Sequence, residues 1–177
     1  MKILKWIIGI IAVPYIIVAI FVTACLMCYN DYNITTFGDY SLIKVEDDSL
    51  MPTYKEGSLI VVRKNTFEEI KNNSYAFFYD TYNNKVEVKY GKIINKRRVN
   101  ETENTYVLEG NYDLSSEYFI GSADTASVYN GLGKVLGVLE SRFGFLFIFV
   151  LPILVLFIYE IYAIIKEIKN PEEVESE

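Results

Sequence analysis

The sequence predicts a mainly β protein, a coiled antiparallel β-domain flanked by two transmembrane helices. Two long apolar runs, Trp6 to Cys28 and Phe143 to Ile165, stand near the ends of the 177-residue chain. Each is long enough to cover the ~30 Å hydrocarbon core of a bilayer. Short segments of alternating apolar and polar residues, separated by turn residues, fill the interval and are typical of strands. The mean hydropathy of +0.19 agrees with this reading.

Lysines at the two ends of the chain predict its orientation in the membrane. Lys2 and Lys5 precede the first apolar run, and Lys166 and Lys169 follow the second. Because positive charge favours the cytoplasmic side, both termini are expected in the cytoplasm of a two-pass plasma-membrane protein. The expected division is a transmembrane helix over residues 1–29, an extracytoplasmic β-domain over 30–141, a second transmembrane helix over 142–168 and an acidic tail over 169–177.

The first apolar run has an alternative interpretation as a cleaved targeting signal. Val22-Thr23-Ala24-Cys25 matches a loose lipoprotein cleavage box. Apolar residues continue past Cys25, however, and the run is long for the apolar part of a signal sequence. A membrane anchor is therefore the favoured interpretation.

Composition excludes several function classes. The net charge of −6 argues against a nucleic-acid partner, which would select a basic surface. The chain has no histidine, which removes the usual general base and the usual metal ligand. Its two cysteines, Cys25 and Cys28, lie inside an apolar run. No cofactor and no metal site are expected.

Five segments of the middle region are predicted strands. They alternate or are rich in β-branched and aromatic residues, and Gly or Asn clusters separate them. The basic run Lys96-Arg97-Arg98 is predicted as a solvated hairpin turn, and only Thr66 to Lys71 hints at a helical period. The predicted strands are Ser41 to Glu46, Ser58 to Val62, Tyr75 to Tyr79, Val86 to Tyr90 and Tyr106 to Leu108.

One motif contains a candidate catalytic residue. Asp48-Ser49-Leu50-Met51-Pro52-Thr53 is followed by a turn glycine, Gly57, and then by an apolar strand. This arrangement resembles the nucleophile box of type I signal peptidases. The resemblance implies that Ser49 is the nucleophile, on a proline-restricted turn where its own N–H can help to hold an oxyanion.

Two further segments extend the resemblance in the expected order. Gly133-Lys134-Val135-Leu136-Gly137 resembles the closing Gly-Lys-Val strand of that family. Tyr106-Val107-Leu108-Glu109-Gly110-Asn111 resembles the strand and Lys-Gly-Asp turn of its endoplasmic-reticulum-type branch. Bacterial members of that branch often carry a second, C-terminal membrane helix. The resemblance implies a signal-peptidase-like β-domain.

The chain departs from the family where the general base should stand. A His-Arg-Val/Ile sequence supplies the base in that branch, and Gly91-Lys92-Ile93 occupies the matching place. Lys89 shares the strand face of Gly91, which would leave room for its side chain, so Lys89 is the first candidate base and Lys92 the second. Asp113 or Glu117 could supply a carboxylate near the expected acid position.

The resemblance implies a membrane-bound serine endopeptidase that removes signal peptides from secreted preproteins. Its partners would be signal-peptide-bearing preproteins and the lipid bilayer, with a membrane partner subunit as a further candidate. The missing base favours an alternative, a catalytically inactive relative that acts as a chaperone or assembly factor for secreted or pilus proteins. A β-domain of unrelated role between two membrane helices is a third reading, because fold analogy does not fix function.

Overall fold

The computed structural model describes residues 2–32, 34–47, 50–51, 53–82, 85–99 and 103–169. Ser49, the candidate nucleophile, and Pro52 of its motif lie outside the described residues, as does the acidic tail from residue 170 onward. Two compact units divide the chain. One takes its described residues from 2–19 and 138–169, and the other comprises Ile20–Gly137.

Helices occupy both ends of the described chain. The apolar N-terminal run forms a helix that contains Pro14. Among the described residues, Arg142–Lys166 is the one helix long and apolar enough to cross a membrane, with a mean hydropathy of 2.6, whereas Ala12–Met27 is a shorter apolar stretch. The helices are α1 (Lys2–Met27), α2 (Leu132–Glu140), α3 (Arg142–Phe145) and α4 (Leu151–Lys169), with a π-helical turn over Leu146–Val150 between α3 and α4.

Between the helices lie two antiparallel sheets. Sheet 1 has the strand order β1-β2-β3-β9, and sheet 2 has the order β7-β6-β5-β4-β8. The strands are β1 (Thr35–Phe37), β2 (Tyr40–Lys44), β3 (Leu59–Arg63), β4 (Tyr75–Tyr82), β5 (Lys85–Arg98), β6 (Asn104–Leu108), β7 (Tyr112–Ser115), β8 (Phe119–Ser122) and β9 (Ser127–Tyr129). The predicted antiparallel β-domain is therefore present, combined with helices in a mixed architecture.

Sheet 2 carries an apolar cluster on each face. The first core cluster joins the two sheets and includes Ile43 and Ile60 of sheet 1 with Phe77 of sheet 2. The second core cluster covers the other face of sheet 2 and includes Phe78 and Ile93. Successive side chains of a strand point to opposite faces, so the neighbours Phe77 and Phe78 enter different clusters. Sheet 2 is thus buried on both faces over the middle of β4.

The predicted closing strand over Gly133 to Gly137 is wrong, because these residues belong to helix α2. The Lys134 N–H donates to the carbonyl of Gly57 at 3.1 Å. A Cβ on Gly133 would lie 2.2 Å from the carbonyl oxygen of Ser58. The glycine therefore allows the start of a helix to pack directly on the backbone before β3, which a strand pattern does not reveal.

The predicted hairpin turn at the basic run is also wrong. Lys96-Arg97-Arg98 continues β5 instead of forming a turn. The Lys96 ammonium donates to the carbonyls of Phe67 and Ile70, each at 2.6 Å, and it lies 4.7 Å from the centre of the Phe67 ring. The segment 66–71 forms turns and no helix. Lys96 therefore binds carbonyls that a helix would have bonded within itself.

Candidate peptide-binding edge

Strand β5 is paired along only part of its second edge. Its first edge pairs with β4 over Lys85 to Lys92. Its second edge pairs with β6 only from Ile93 onward. Within the described residues, no backbone hydrogen bond joins the second edge to another segment over residues 86–91. This stretch, here called the free edge of β5, offers unpaired backbone groups.

The hydrogen-bond pattern shows which residues turn their backbone groups to the free edge. The Ile93 N–H donates to Ser74 beside β4 at 2.8 Å, whereas the Lys92 carbonyl accepts from Glu109 on the opposite side at 2.9 Å. Because directions alternate along an antiparallel strand, the odd-numbered residues bond to β4. The even-numbered residues present N–H and C=O groups at the free edge; these are Val86, Val88 and Tyr90.

Two cavities flank the free edge. The first, of about 560 Å³, is bordered by Phe78, Lys89 and Gly91 on one side and by the Glu109-Gly110 turn on the other. The second, of about 180 Å³, lies between Val86 to Val88 of β5 and the segment that follows β2, with Val45 and Leu50 in its wall. A concave, partly apolar surface with a few charged groups at its rim is typical of binding sites.

The cavities lie on opposite faces of sheet 2. Phe78 pairs with Lys89 across the strands, and Ala76 pairs with Gly91, so these four residues share the face of the second core cluster. Val88 packs against the first core cluster, on the opposite face. The larger cavity therefore opens on the face of the second cluster, and the smaller one opens on the face of the first.

Gly91 and the Gly110-Asn111 turn border the same region. Glu109 bonds to Lys92, and both Gly91 and Gly110 line the larger cavity. Gly110 and Asn111 have φ values of 93° and 59°, the left-handed conformation that glycine and asparagine tolerate best. The positions that match the family's histidine and its Gly-Asp turn are thus neighbours in space.

The place beside Gly91 is already filled. A Cβ on Gly91 would lie 3.0 Å from Cε1 of Phe78 and 3.5 Å from Cζ. Phe78 is buried and held in the second core cluster. The Phe78 ring therefore occupies the space that a side chain at position 91 would enter.

Lys89 is charged and paired. Its ammonium lies 2.8 Å from a carboxylate oxygen of Glu87, and about a third of its side chain remains exposed. The hydrogen bond to Glu87 raises the pKa of Lys89 above its ordinary 10.5, and the charges of Asp80 and Asp47 act in the same direction. A lysine that serves as a base needs the opposite shift, which burial away from counter-charges produces.

The other predicted site residues differ in whether they line a cavity. Lys92 lines the larger cavity. Asp113 is exposed on β7, Glu117 is exposed between β7 and β8, and neither lines the two cavities described above. The nearest described neighbours of Ser49, Asp47 and Leu50, line the smaller cavity.

Aromatic residues that the sequence motifs do not reveal lie beside the free edge of β5. Tyr54 contacts both Phe77 and Tyr90, with ring centroids 5.2 Å apart in each pair, and Tyr75 stacks on Tyr90 at 5.1 Å. Burial raises the pKa of Tyr54 to about 12, with the neighbouring Tyr90 adding to the shift. Tyr54 is therefore a neutral structural group. Its signal in the sequence was only an apolar position after the serine motif.

Comparisons of the chain with protein-family models, with curated proteins and with solved structures found no match.

Proposed function

We propose that this chain is a membrane-anchored relative of signal peptidases that binds the cleavage region of secreted preproteins as an extended strand. The observation that carries the proposal is the free edge of β5 between two cavities. An incoming peptide that pairs with Val86, Val88 and Tyr90 would extend sheet 2 along the line of β6. Main-chain hydrogen bonds then give affinity, and the cavities select side chains.

Membrane anchoring would bring this edge to its ligand. Arg142–Lys166 is apolar enough to cross a bilayer, and α1 is proposed as a second crossing. With lysines at both cytoplasmic ends, the β-domain would stand on the outer side of the plasma membrane. Preproteins that leave the membrane present their cleavage regions there. Binding without cleavage would suit a chaperone or assembly factor for secreted or pilus proteins, with or without a membrane partner subunit.

A proline on the free edge tests binding. The Val86 N–H faces the free edge, so Val86→Pro removes a donor without removing a bond to β4. Val86→Thr is the matched control, since it keeps both the N–H and the β-branched shape. We expect a peptide from a signal-sequence cleavage region to bind the wild type and Val86→Thr alike, and Val86→Pro at least about tenfold more weakly. Equal affinity for all three would exclude the free edge as the site.

The second candidate is a serine endopeptidase with Ser49 as nucleophile. It is favoured by one observation: Asp47 and Leu50, on either side of the serine motif's start, line a cavity at the same free edge. The proposed lysine base is the part of this candidate function with the least support. Lys89 is paired with Glu87, and its face is opposite to that of Leu50, which leaves Lys92 as the other candidate.

A cleavage assay separates the two functions. Detergent-solubilised protein is mixed with a preprotein, with Ser49→Ala and Lys89→Met as parallel variants. Cleavage that both substitutions abolish would establish a serine–lysine pair. Cleavage that only Ser49→Ala abolishes would establish the nucleophile and point to another base. Binding of the preprotein by all three proteins with no cleavage is the result that the binding proposal predicts.

A further inference from the structure

The two cavities at the free edge of β5 differ in size and lie on opposite faces of sheet 2. A peptide strand paired with this edge directs successive side chains to opposite faces. Its alternate residues would therefore enter different cavities. We propose that the larger cavity receives one long basic side chain, arginine or lysine, of the bound peptide. The inference rests on the proposed binding of an extended peptide and adds a selectivity to it.

Size distinguishes the two positions of the peptide. The cavity of about 180 Å³ is lined by Val45, Leu50 and Val88 together with charged residues such as Glu46 and Glu87, and its size suits a small side chain. The cavity of about 560 Å³ lies in the range of ligand pockets. A small residue would leave most of that space to water. A long side chain occupies more of it and removes more apolar surface from water.

The floor of the larger cavity suits an apolar stem. It includes the buried residues Phe78 and Leu108 together with Gly91, which has no side chain. Long basic side chains pack their methylene groups on such surfaces while their charge stays at the rim. A guanidinium or ammonium also gains from the face of an aromatic ring. Tyr112, half exposed, adds a second ring at the border.

The charges at the rim favour a cation. Asp80 and Glu109 both line the larger cavity, and neither forms an ion pair within the part of the chain that the structure describes. The charge of Lys89 is compensated by Glu87 at 2.8 Å. Lys92 also lines this cavity, and its charge offsets that of Glu109, whose N–H donates to the Lys92 carbonyl. Asp80 pairs with Glu87 across the strands and shares the face of Lys89. Two carboxylates and one ammonium therefore leave a net negative charge on that face.

Peptides that differ at one position test the selectivity. Fluorescent, alanine-rich peptides of about ten residues, enough to span the free edge, carry arginine, leucine or glutamate at the centre. Binding is measured to the full-length protein in lipid nanodiscs. We expect the arginine peptide to bind about tenfold more tightly than the glutamate peptide. In Asp80→Asn/Glu109→Gln this preference should disappear, whereas Glu56→Gln, an exposed acid away from both cavities, should retain it.

Each outcome has one meaning. Loss of the arginine preference in the double variant alone supports the inference. Equal binding of the three peptides by the wild type overturns the inference and leaves the proposed binding function intact. No binding of any peptide by the wild type overturns the proposed function itself. Unchanged binding of the leucine peptide by the double variant verifies that the double variant is folded.

Discussion

The hydroxyl of Tyr15 donates a hydrogen bond to the backbone carbonyl of Ile148 at 2.8 Å. Ile148 stands four residues before Pro152, whose nitrogen has no hydrogen to offer that carbonyl. The chain is π-helical over Leu146–Val150 at this point, and Phe149 packs on Tyr15 with ring centroids 5.8 Å apart. The Tyr15 hydroxyl of α1 thus donates to a carbonyl to which Pro152 cannot donate.

This relationship predicts a coupled pair of mutations. Tyr15→Phe should lower the free energy of unfolding in mixed micelles by about 1 kcal/mol, the size of a hydrogen bond between apolar helices. Pro152→Ala restores an N–H to the helix, so Tyr15→Phe should cost much less in that background. The double-mutant cycle reports the coupling. The same cost in both backgrounds would show that Tyr15 does not compensate for the proline.

The contact between Gly91 and Phe78 predicts that a histidine cannot simply be restored. Gly91→Ala should lower the free energy of unfolding by about 1 kcal/mol because Phe78 must move aside, and Gly91→His should lower it by about 2–3 kcal/mol. Chemical denaturation measures both. Phe78→Leu in the Gly91→His background frees space and should recover part of the loss. A stable Gly91→His protein would show that the ring moves freely.

The ion pair of Lys89 with Glu87 predicts a raised pKa for the Lys89 ammonium. The pKa of Lys89 in the folded protein, followed by NMR of its side-chain carbon, should lie above 10.5 because Glu87 bonds to the charged form. The pair therefore stabilises the fold at and below pH 10.5, and this contribution disappears as the pH rises through the folded pKa. Glu87→Gln should lower the pKa, and Glu56→Gln should not. A pKa near neutrality would instead indicate a lysine base.

The bonding of Lys96 predicts that substitutions at Lys96 and at its neighbour Arg97 have very different effects on the free energy of unfolding. Lys96→Met removes the donor to two carbonyls at 2.6 Å and should lower the free energy of unfolding by about 2 kcal/mol, since two partly buried carbonyls lose a charged partner. Arg97 is exposed, and Arg97→Gln should change the free energy of unfolding by less than about 0.5 kcal/mol. Urea unfolding compares the two. Equal effects would contradict the bonding described for Lys96.

The sequence revealed five strands and missed those that depend on distant contacts. Alternation predicted β2 and β5, and runs of β-branched, aromatic or apolar residues predicted β3, β4 and β6. β7 to β9 are three or four residues long, too short to show a period. Helix α2 resembled a strand because the reason for its glycine, the backbone of Ser58 at close range, lies far away in the chain.

The sequence did not reveal the surroundings of the candidate site residues. The resemblance assigns Gly91 and Gly110 to two separate motifs, and the folded chain brings both residues to one cavity. The charge state of Lys89 depends on Glu87, Asp80 and Asp47, which only the folded chain brings together. The filling of the histidine position by Phe78 depends on the pairing of β4 with β5, which no motif records.

Amide hydrogen exchange tests the central claim most directly. In the free protein the N–H groups of Glu87, Lys89 and Gly91 bond to β4 and should exchange slowly, whereas those of Val86, Val88 and Tyr90 face the free edge and should exchange fast. Addition of a preprotein peptide should slow exchange at Val86, Val88 and Tyr90, because a new strand bonds to these three amides. Unchanged exchange at all three, under conditions where the peptide is bound, would contradict binding at the free edge of β5.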